Sequence, residues 1–401
     1  MTITVIITLC SLLLIAYVFD LTSSLTKIPS VLLLLLLGWL VREASGFFAI
    51  EIPSLSRFLP FLGTIGLILI VLDGSLELEF NISKKSVIKR SFLLAFASIV
   101  LLALFLATLF MYMGTNVSFR NCLMNAIPFC VISSSVAISS VRNLTASESE
   151  FIVYESSLSD ILGVLFFNFI ALNSTVNLYS VGSFTLQLVI IAVISFVATL
   201  ALSYLLSNIQ HPIKFVPIIL LLMLIYSISE VFHLPALVFI LLFGLFLGNL
   251  DEMKKFKWIE ILRPRELNIE VSKFKDLIRE ITFLIRALFF LVFGYVLRKD
   301  EILNTETILL AVAIVIAILL VRLILIRLLK LPFTPLFFIA PRGLITILLF
   351  LAIAPERMVP FVNRSLVIQV IILTALVMMG GFMSSNKKQV ITTANSEVTD
   401  V

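Results

Sequence analysis

The feature that most constrains this chain is its succession of long apolar runs, each bounded by charge, Pro or Gly and each close to the length that crosses a bilayer. Thirteen such runs begin near Ile3, Pro29, Phe58, Val87, Cys122, Ser149, Phe184, Ile213, Pro235, Ile281, Thr305, Phe333 and Leu366. A helical span uses about 20 apolar residues. A chain of 401 residues that is 61% apolar and only 13% charged therefore has little left for a soluble domain. Soluble proteins draw roughly a quarter of their residues from the charged types. The expected fold is an all-α polytopic membrane protein of about 13 transmembrane helices, since lipid leaves no water to satisfy exposed backbone. No basic residue precedes the first run and no small-residue cleavage signal follows it, so it reads as a span rather than a secretory signal. Cys10, Cys122 and Cys130 offer neither metal-ligand spacing nor a disulfide framework.

Positive charge sets the expected orientation. With the N-terminus outside, 19 Lys and Arg residues fall in inside loops and 7 in outside loops, which places the C-terminus in the cytoplasm. The net charge of +5 is thus a topology signal and does not point to nucleic acid. The loops are short except for 251–280, where eight basic residues and apolar residues at helical spacing predict an amphipathic segment lying on the membrane.

An internal repeat is also visible. Pro29 and Gly38 stand nine apart in the second span, as Pro235 and Gly244 do in the ninth; Gly74 in the third has a looser counterpart in Gly294 of the tenth. The offset of seven spans is odd, so matching helices must run oppositely through the membrane. Two inverted-topology six-helix repeats, with broken helices crossing at the midplane, follow from that offset, and such transporters bind substrate at the repeat interface. The resulting division is an N-terminal repeat, a linker helix and the start of the second repeat over 1–250, a cytoplasmic amphipathic segment over 251–280, the rest of the second repeat over 281–384, and a cytoplasmic tail over 385–401.

Charges inside spans cost about 2.5 to 3.5 kcal/mol each on insertion scales and mark candidate sites. Asp73, Glu155, Asp160, Arg322 and Arg342 are the foremost; Glu77 and Glu79 are expected at a solvated helix end. Ser156 and Asp160 stand four apart on one helical face with Ser159 beside them. A carboxylate ringed by hydroxyls suits a hard monovalent cation, and its raised proton affinity when dehydrated lets one group hold either ion. The alternative is a packing acid satisfied by those hydroxyls. The serine run from Ser133 to Ser140 supplies further oxygens, or simply a close-packed membrane helix. Pro335 and Pro341-Arg342-Gly343 interrupt span twelve, where backbone hydrogen bonds must be lost. Arg286 in span ten is expected to pair with a site carboxylate or to satisfy carbonyls of the broken helices. His211 and His233 lie at span ends, where an interfacial role is expected.

These motifs, in this order, resemble the monovalent cation:proton antiporters, in particular sodium/proton antiporters of the NhaP and NHE type. Leu72-Asp73-Gly74-Ser75-Leu76 is similar to the family's Phe-Glu-Gly-Gly-Leu, and Glu155-Ser-Ser-Leu-Ser159-Asp160 keeps the spacing of Glu-x-x-x-Asn-Asp. Arg322 stands where the family has an arginine late in span eleven, and Ala340-Pro-Arg342-Gly343 resembles its Gly-x-Arg-Gly turn. Two positions depart from the pattern: Ser133-Ser134-Ser135 replaces Thr-Asp-Pro in span five, and Ser159 replaces the Asn.

The resemblance implies a plasma-membrane secondary antiporter, in a bacterial inner membrane and homodimeric, that exchanges sodium or potassium for protons without a cofactor. Asp160, Ser159, Ser156, Asp73, Ser133 and Ser134 are then the cation and proton ligands, with Asp160 as the metal-binding group. Glu155 and Arg322 form a supporting ion pair, and Arg342 is the charge at the broken helix. A solute symporter or channel-like carrier on the same fold is the rival reading. An enzyme is not expected, because no His-Glu-x-x-His helix, Cys-His pair or nucleotide loop is present.

Overall fold

The computed structural model describes residues 2–26, 28–47, 55–78, 84–114, 117–140, 144–173, 178–208, 211, 213–232, 234–253, 262 and 264–399. Its helices in chain order are α1 (Thr2–Thr26), α2 (Ser30–Phe47), α3 (Leu59–Glu77), α4 (Lys85–Met113), α5 (Phe119–Ala126), α6 (Ser134–Ser140), α7 (Ala146–Leu172) and α8 (Leu178–Asn208). They continue as α9 (Phe215–Val231), α10 (Ala236–Gly248), the short α11 (Leu250–Met253), α12 (Pro264–Val296), the short α13 (Lys299–Ile302), α14 (Thr305–Leu328), α15 (Leu344–Leu351) and α16 (Arg364–Thr399). Nine spans among the described residues are long and apolar enough to cross a membrane, and α9 and α10 are shorter apolar helices. Each of the thirteen apolar runs corresponds to a helix or to a broken pair of half-spans. Glu79 and His233 lie outside the described residues, as do Lys254, Lys255, Lys257 and Arg263 of the 251–280 loop.

The inverted repeat is expressed in how the helices pack. α2 lies on α12 and α10 lies on α3, while α4 packs on α7 and α14 on α16, so each pairing has its image seven spans away. The first two pairings form a scaffold of spans one to three and eight to ten. The last two, with α5, α6 and α15, form a core of spans four to six and eleven to thirteen. The repeat glycines explain why the scaffold pairs can be so close. A Cβ on Gly38 would run into the carbonyl oxygen of Leu291, and one on Gly244 into the Ser75 side chain. The chain just beyond each glycine also caps the partner's end. Arg42 donates to the carbonyls of Val296 and Leu297, and Asn249 donates to that of Leu78 at 2.8 Å.

One expectation needs correction. Residues 264–280 do not lie on the membrane as a separate element, because α12 is one helix of 33 residues. At 1.5 Å per residue it is about 50 Å long, against a hydrocarbon core of about 30 Å. Its leading apolar face, Leu267, Val271, Phe274 and Ile278, is buried against protein, with Phe274 edge-on to Phe243 and Glu270 ion-paired to Lys214. Glu77 is the last residue of α3, as expected of a helix end, and pairs there with the half-exposed Arg279 of α12 at 2.5 Å. Span five is broken, as the expectation of broken crossing helices has it, although Ser135 stands where the family has Pro. α5 gives way at Ala126 to a 3-10 turn containing Pro128, then to non-helical backbone before α6 begins at Ser134. Span twelve is interrupted more deeply. Only one 3-10 turn, Leu336–Phe338, precedes the extended stretch that leads into α15.

The close glycine contacts make a direct prediction. Gly38→Val should force α2 off α12, where overpacking costs typically 1 to about 3 kcal/mol. Thermal unfolding of the detergent-solubilised variant should show a clearly lowered Tm, whereas Gly46→Val, where nothing lies within 4 Å, should melt as wild type does.

Candidate functional site

Asp160 is carried by α7, whose start is fixed by a reciprocal cap. The Thr145 hydroxyl accepts the Glu148 amide, and the Glu148 carboxylate accepts the Thr145 amide. The far end of α7 is held by two arginines of the broken spans: Arg120 donates to the carbonyls of Ile170 and Ala171, and Arg357 also donates to Ala171. Between these ends Glu155, Ser156, Ser157, Ser159, Asp160 and Gly163 are all buried. Gly163 lets the broken stretch of span five close on the helix, because a Cβ there would collide with Val131.

The two interruptions cross at this face of α7. Ser133 N donates to Pro341 O at 2.9 Å, joining span five to span twelve through their backbones. Freed groups on both sides find side chains. Ile132 N donates to Ser159 Oγ at 2.9 Å, and Ser134 N donates to Asp160 Oδ2 at 3.3 Å. Arg342, fully buried, donates from Nε to Phe129 O at 2.5 Å and from Nη1 to Ala340 O at 3.0 Å, while its own amide donates to Thr374 Oγ1. Its charge is thus spent on carbonyls of both broken spans. Asp160 Oδ1 is buried without a hydrogen bond among the described residues.

The serines divide. Ser134 reaches Asp160 through its amide, and Ser159 is occupied by the Ile132 amide but retains a lone pair. Ser156 turns back to its own helix, donating to Ile152 O at 2.7 Å, and Ser133 Oγ lies 3.0 Å from Ser135 Oγ. Of these, Ser134 hydrogen-bonds Asp160, while Ser156 and Ser133 are bonded elsewhere in this conformation. Gly74, next to Asp73 on α3, faces α7, where a Cβ on it would sit 3.6 Å from Ser157 Oγ. Asp73 Oδ1 and Ser157 Oγ are likewise buried without partners among the described residues.

Behind the crossing, Arg322 grips Glu155 with both Nη atoms at 2.6 and 3.0 Å and donates from Nε to Leu336 O at 2.7 Å. Both side chains are almost wholly buried. Arg286 donates to the Ser135 carbonyl of broken span five at 3.3 Å, one of the two roles open to it; its carboxylate partner, at 3.2 Å, is Asp20 of α1 and not one of the candidate site acids. Asp20 and Ser157 were not singled out in the sequence. A lone acid within the 25-residue apolar α1 was the available signal for Asp20, whereas nothing in a serine-rich helix distinguishes Ser157. His211 is exposed, its Nδ1 accepting the Ile213 amide.

A buried acid at the crossing of two interrupted helices, within paired inverted repeats, defines a secondary carrier rather than an enzyme. The transmembrane sodium/hydrogen exchanger family model matches residues 9–385, and the chain belongs to that family of cation:proton antiporters. Among solved structures, the chain is similar to the sodium proton antiporter MjNhaP1 from Methanocaldococcus jannaschii at pH 8. The TM-score is 0.69 at 18% identity, covering 94% of this chain and 99% of that one. An electron-microscopy structure of the same antiporter gives 0.63 at 16% identity, covering 96% and 95%. No curated protein matches the sequence.

The Glu155–Arg322 geometry sets a stability test. Removing either partner leaves a buried charge uncompensated, at a cost of about 3 to 5 kcal/mol. Glu155→Gln and Arg322→Gln should each melt well below wild type. The swap Glu155→Arg/Arg322→Glu should recover only part of the loss, because a Glu at 322 cannot donate to Leu336 O.

Proposed function

We propose that this protein exchanges sodium or potassium for protons one for one, with proton and cation competing for Asp160. The observation that carries the reading is the position of that carboxylate. One oxygen accepts the Ser134 amide and the other is buried without a hydrogen bond among the described residues, at the crossing of spans five and twelve. An oxygen held in that state has two ways to be satisfied, a proton of its own or a bound cation. Asp73 serves as a secondary ligand from α3, and Glu155 with Arg322 supports the crossing without touching the ion.

The stoichiometry follows from what can titrate on α7. Ser159 cannot, and Glu155 is committed to Arg322, so Asp160 is the acid on that face free to exchange its proton. A site that releases one proton to accept one monovalent cation carries the same charge both ways, and the cycle is electroneutral. Alternating access then moves the core against the scaffold. The excess of Lys and Arg in the inside loops supports an N-terminus outside and a C-terminus in the cytoplasm.

Proteoliposomes loaded with a pH-sensitive dye test this. Wild type should dequench on addition of sodium or potassium and not in a cation-free control, and Asp160→Asn should behave like empty liposomes. The rate should ignore the sign of a diffusion potential. Flux that persists in Asp160→Asn removes the residue from the mechanism, and flux that follows the potential means that a second group titrates.

A further inference from the structure

Asp20 and Arg286 form a buried pair that the exchange reaction, as described, does not use. Asp20 Oδ1 accepts from Arg286 Nη2 at 3.2 Å and from Ser30 Oγ at 3.3 Å, and both charged side chains are only 16% exposed. The rest of α1 gives little reason for an acid there. Ile6, Ile7, Leu14, Val18 and Leu21 are all exposed, and a charge within a span is costly. What sets the pair apart is where its cation ends. Arg286 Nη1 donates to the carbonyl of Ser135, one residue beyond the Ser134 amide that holds Asp160. Arg286 belongs to the scaffold, and Ser135 opens the half-helix α6 of the core. The other ion pairs near the crossing stay on one side, Glu155–Arg322 within the core and Glu77–Arg279 within the scaffold.

A guanidinium so close to the crossing acts on any ion bound there. Glu155 cancels Arg322 and Asp20 cancels Arg286. The Asp20–Arg286 pair then adds no net charge beside Asp160 and Arg342 at the crossing. Without the Asp20 charge, Arg286 would add one positive charge beside Ser135, and an entering cation would meet it in a medium that screens weakly.

We propose that Asp20 is a positioning residue for cation binding: it anchors the Arg286 guanidinium beside Ser135 and cancels its charge, so that the guanidinium adds no net positive charge where the cation binds. The proposal rests on the antiport reading above.

The test is the sodium dependence of both thermal stability in detergent and exchange rate in proteoliposomes, at constant ionic strength held with choline. Asp20→Asn should raise the sodium concentration at half-effect roughly tenfold in both assays, the influence of one unit charge about 10 Å away at an effective dielectric of about 20. The maximal exchange rate should change little. Asp20→Glu keeps the charge and should stay near wild type. Asp20→Asn/Arg286→Gln removes both charges and should return the half-effect concentration toward wild type. That recovery is one a merely structural role would not produce. Should Asp20→Asn not be recovered from membranes, the double variant carries the test alone, because it leaves neither charge uncompensated. A double variant as weak in sodium binding as the tenfold expectation for Asp20→Asn overturns the proposal, as does an Asp20→Asn protein with an unaltered half-effect concentration. If wild type itself ignores every monovalent cation in both assays, the antiport reading falls and this proposal with it.

Discussion

Two helices interrupted in the middle of a bilayer release backbone N–H and C=O groups that lipid cannot satisfy, and the rest of this structure is arranged around meeting that demand. The interruptions meet each other first, through the Ser133 amide and the Pro341 carbonyl. Ser159 and Asp160 on α7 take amides from span five, and Arg342 supplies donors to carbonyls of both spans. Each of these partners is a polar side chain that would itself be a liability in lipid. Break and side chains are stable only together, and Asp160 is held at the crossing by the same bond that satisfies Ser134.

The scaffold meets a different requirement, that of holding two copies of one motif in opposite directions. Small residues let α2 and α10 approach the carbonyls and side chains of α12 and α3, and polar groups a turn further on tie off the partner ends. In a membrane, where apolar surface gains little by leaving lipid, such close backbone contact and a few hydrogen bonds carry helix association.

Much of this was written in the sequence, because lipid imposes length and composition on every span. The thirteen runs, the odd repeat offset, the pairing of Glu155 with Arg322 at matching depth and the broken span twelve are all consequences of local pattern plus a bilayer of fixed thickness. What the sequence hid depends on which helix lies beside which. Asp20 was one acid in an apolar run until α12 placed Arg286 against it. Glu77 is the helix end it looked like, but its partner Arg279 lies more than two hundred residues away and could not be seen. The continuity of α12 was masked by charge in its first half, where an amphipathic face buried by protein has the same periodicity as one buried by lipid. The break in span five was expected, but not its means: the family's breaker is absent, and the break is marked by Pro128 and completed by acceptors from α7 and span twelve.

The bond from the Ser134 amide to Asp160 has a spectroscopic corollary. Most amides in a membrane helix are locked into the ladder of their own segment and sense little else. This one points its hydrogen at the carboxylate that takes up and gives away the ion. Its chemical shift and its exchange with deuterated water are therefore tied to the occupancy of Asp160, which makes it an intrinsic reporter of the empty, protonated and cation-bound states without any label attached to the site.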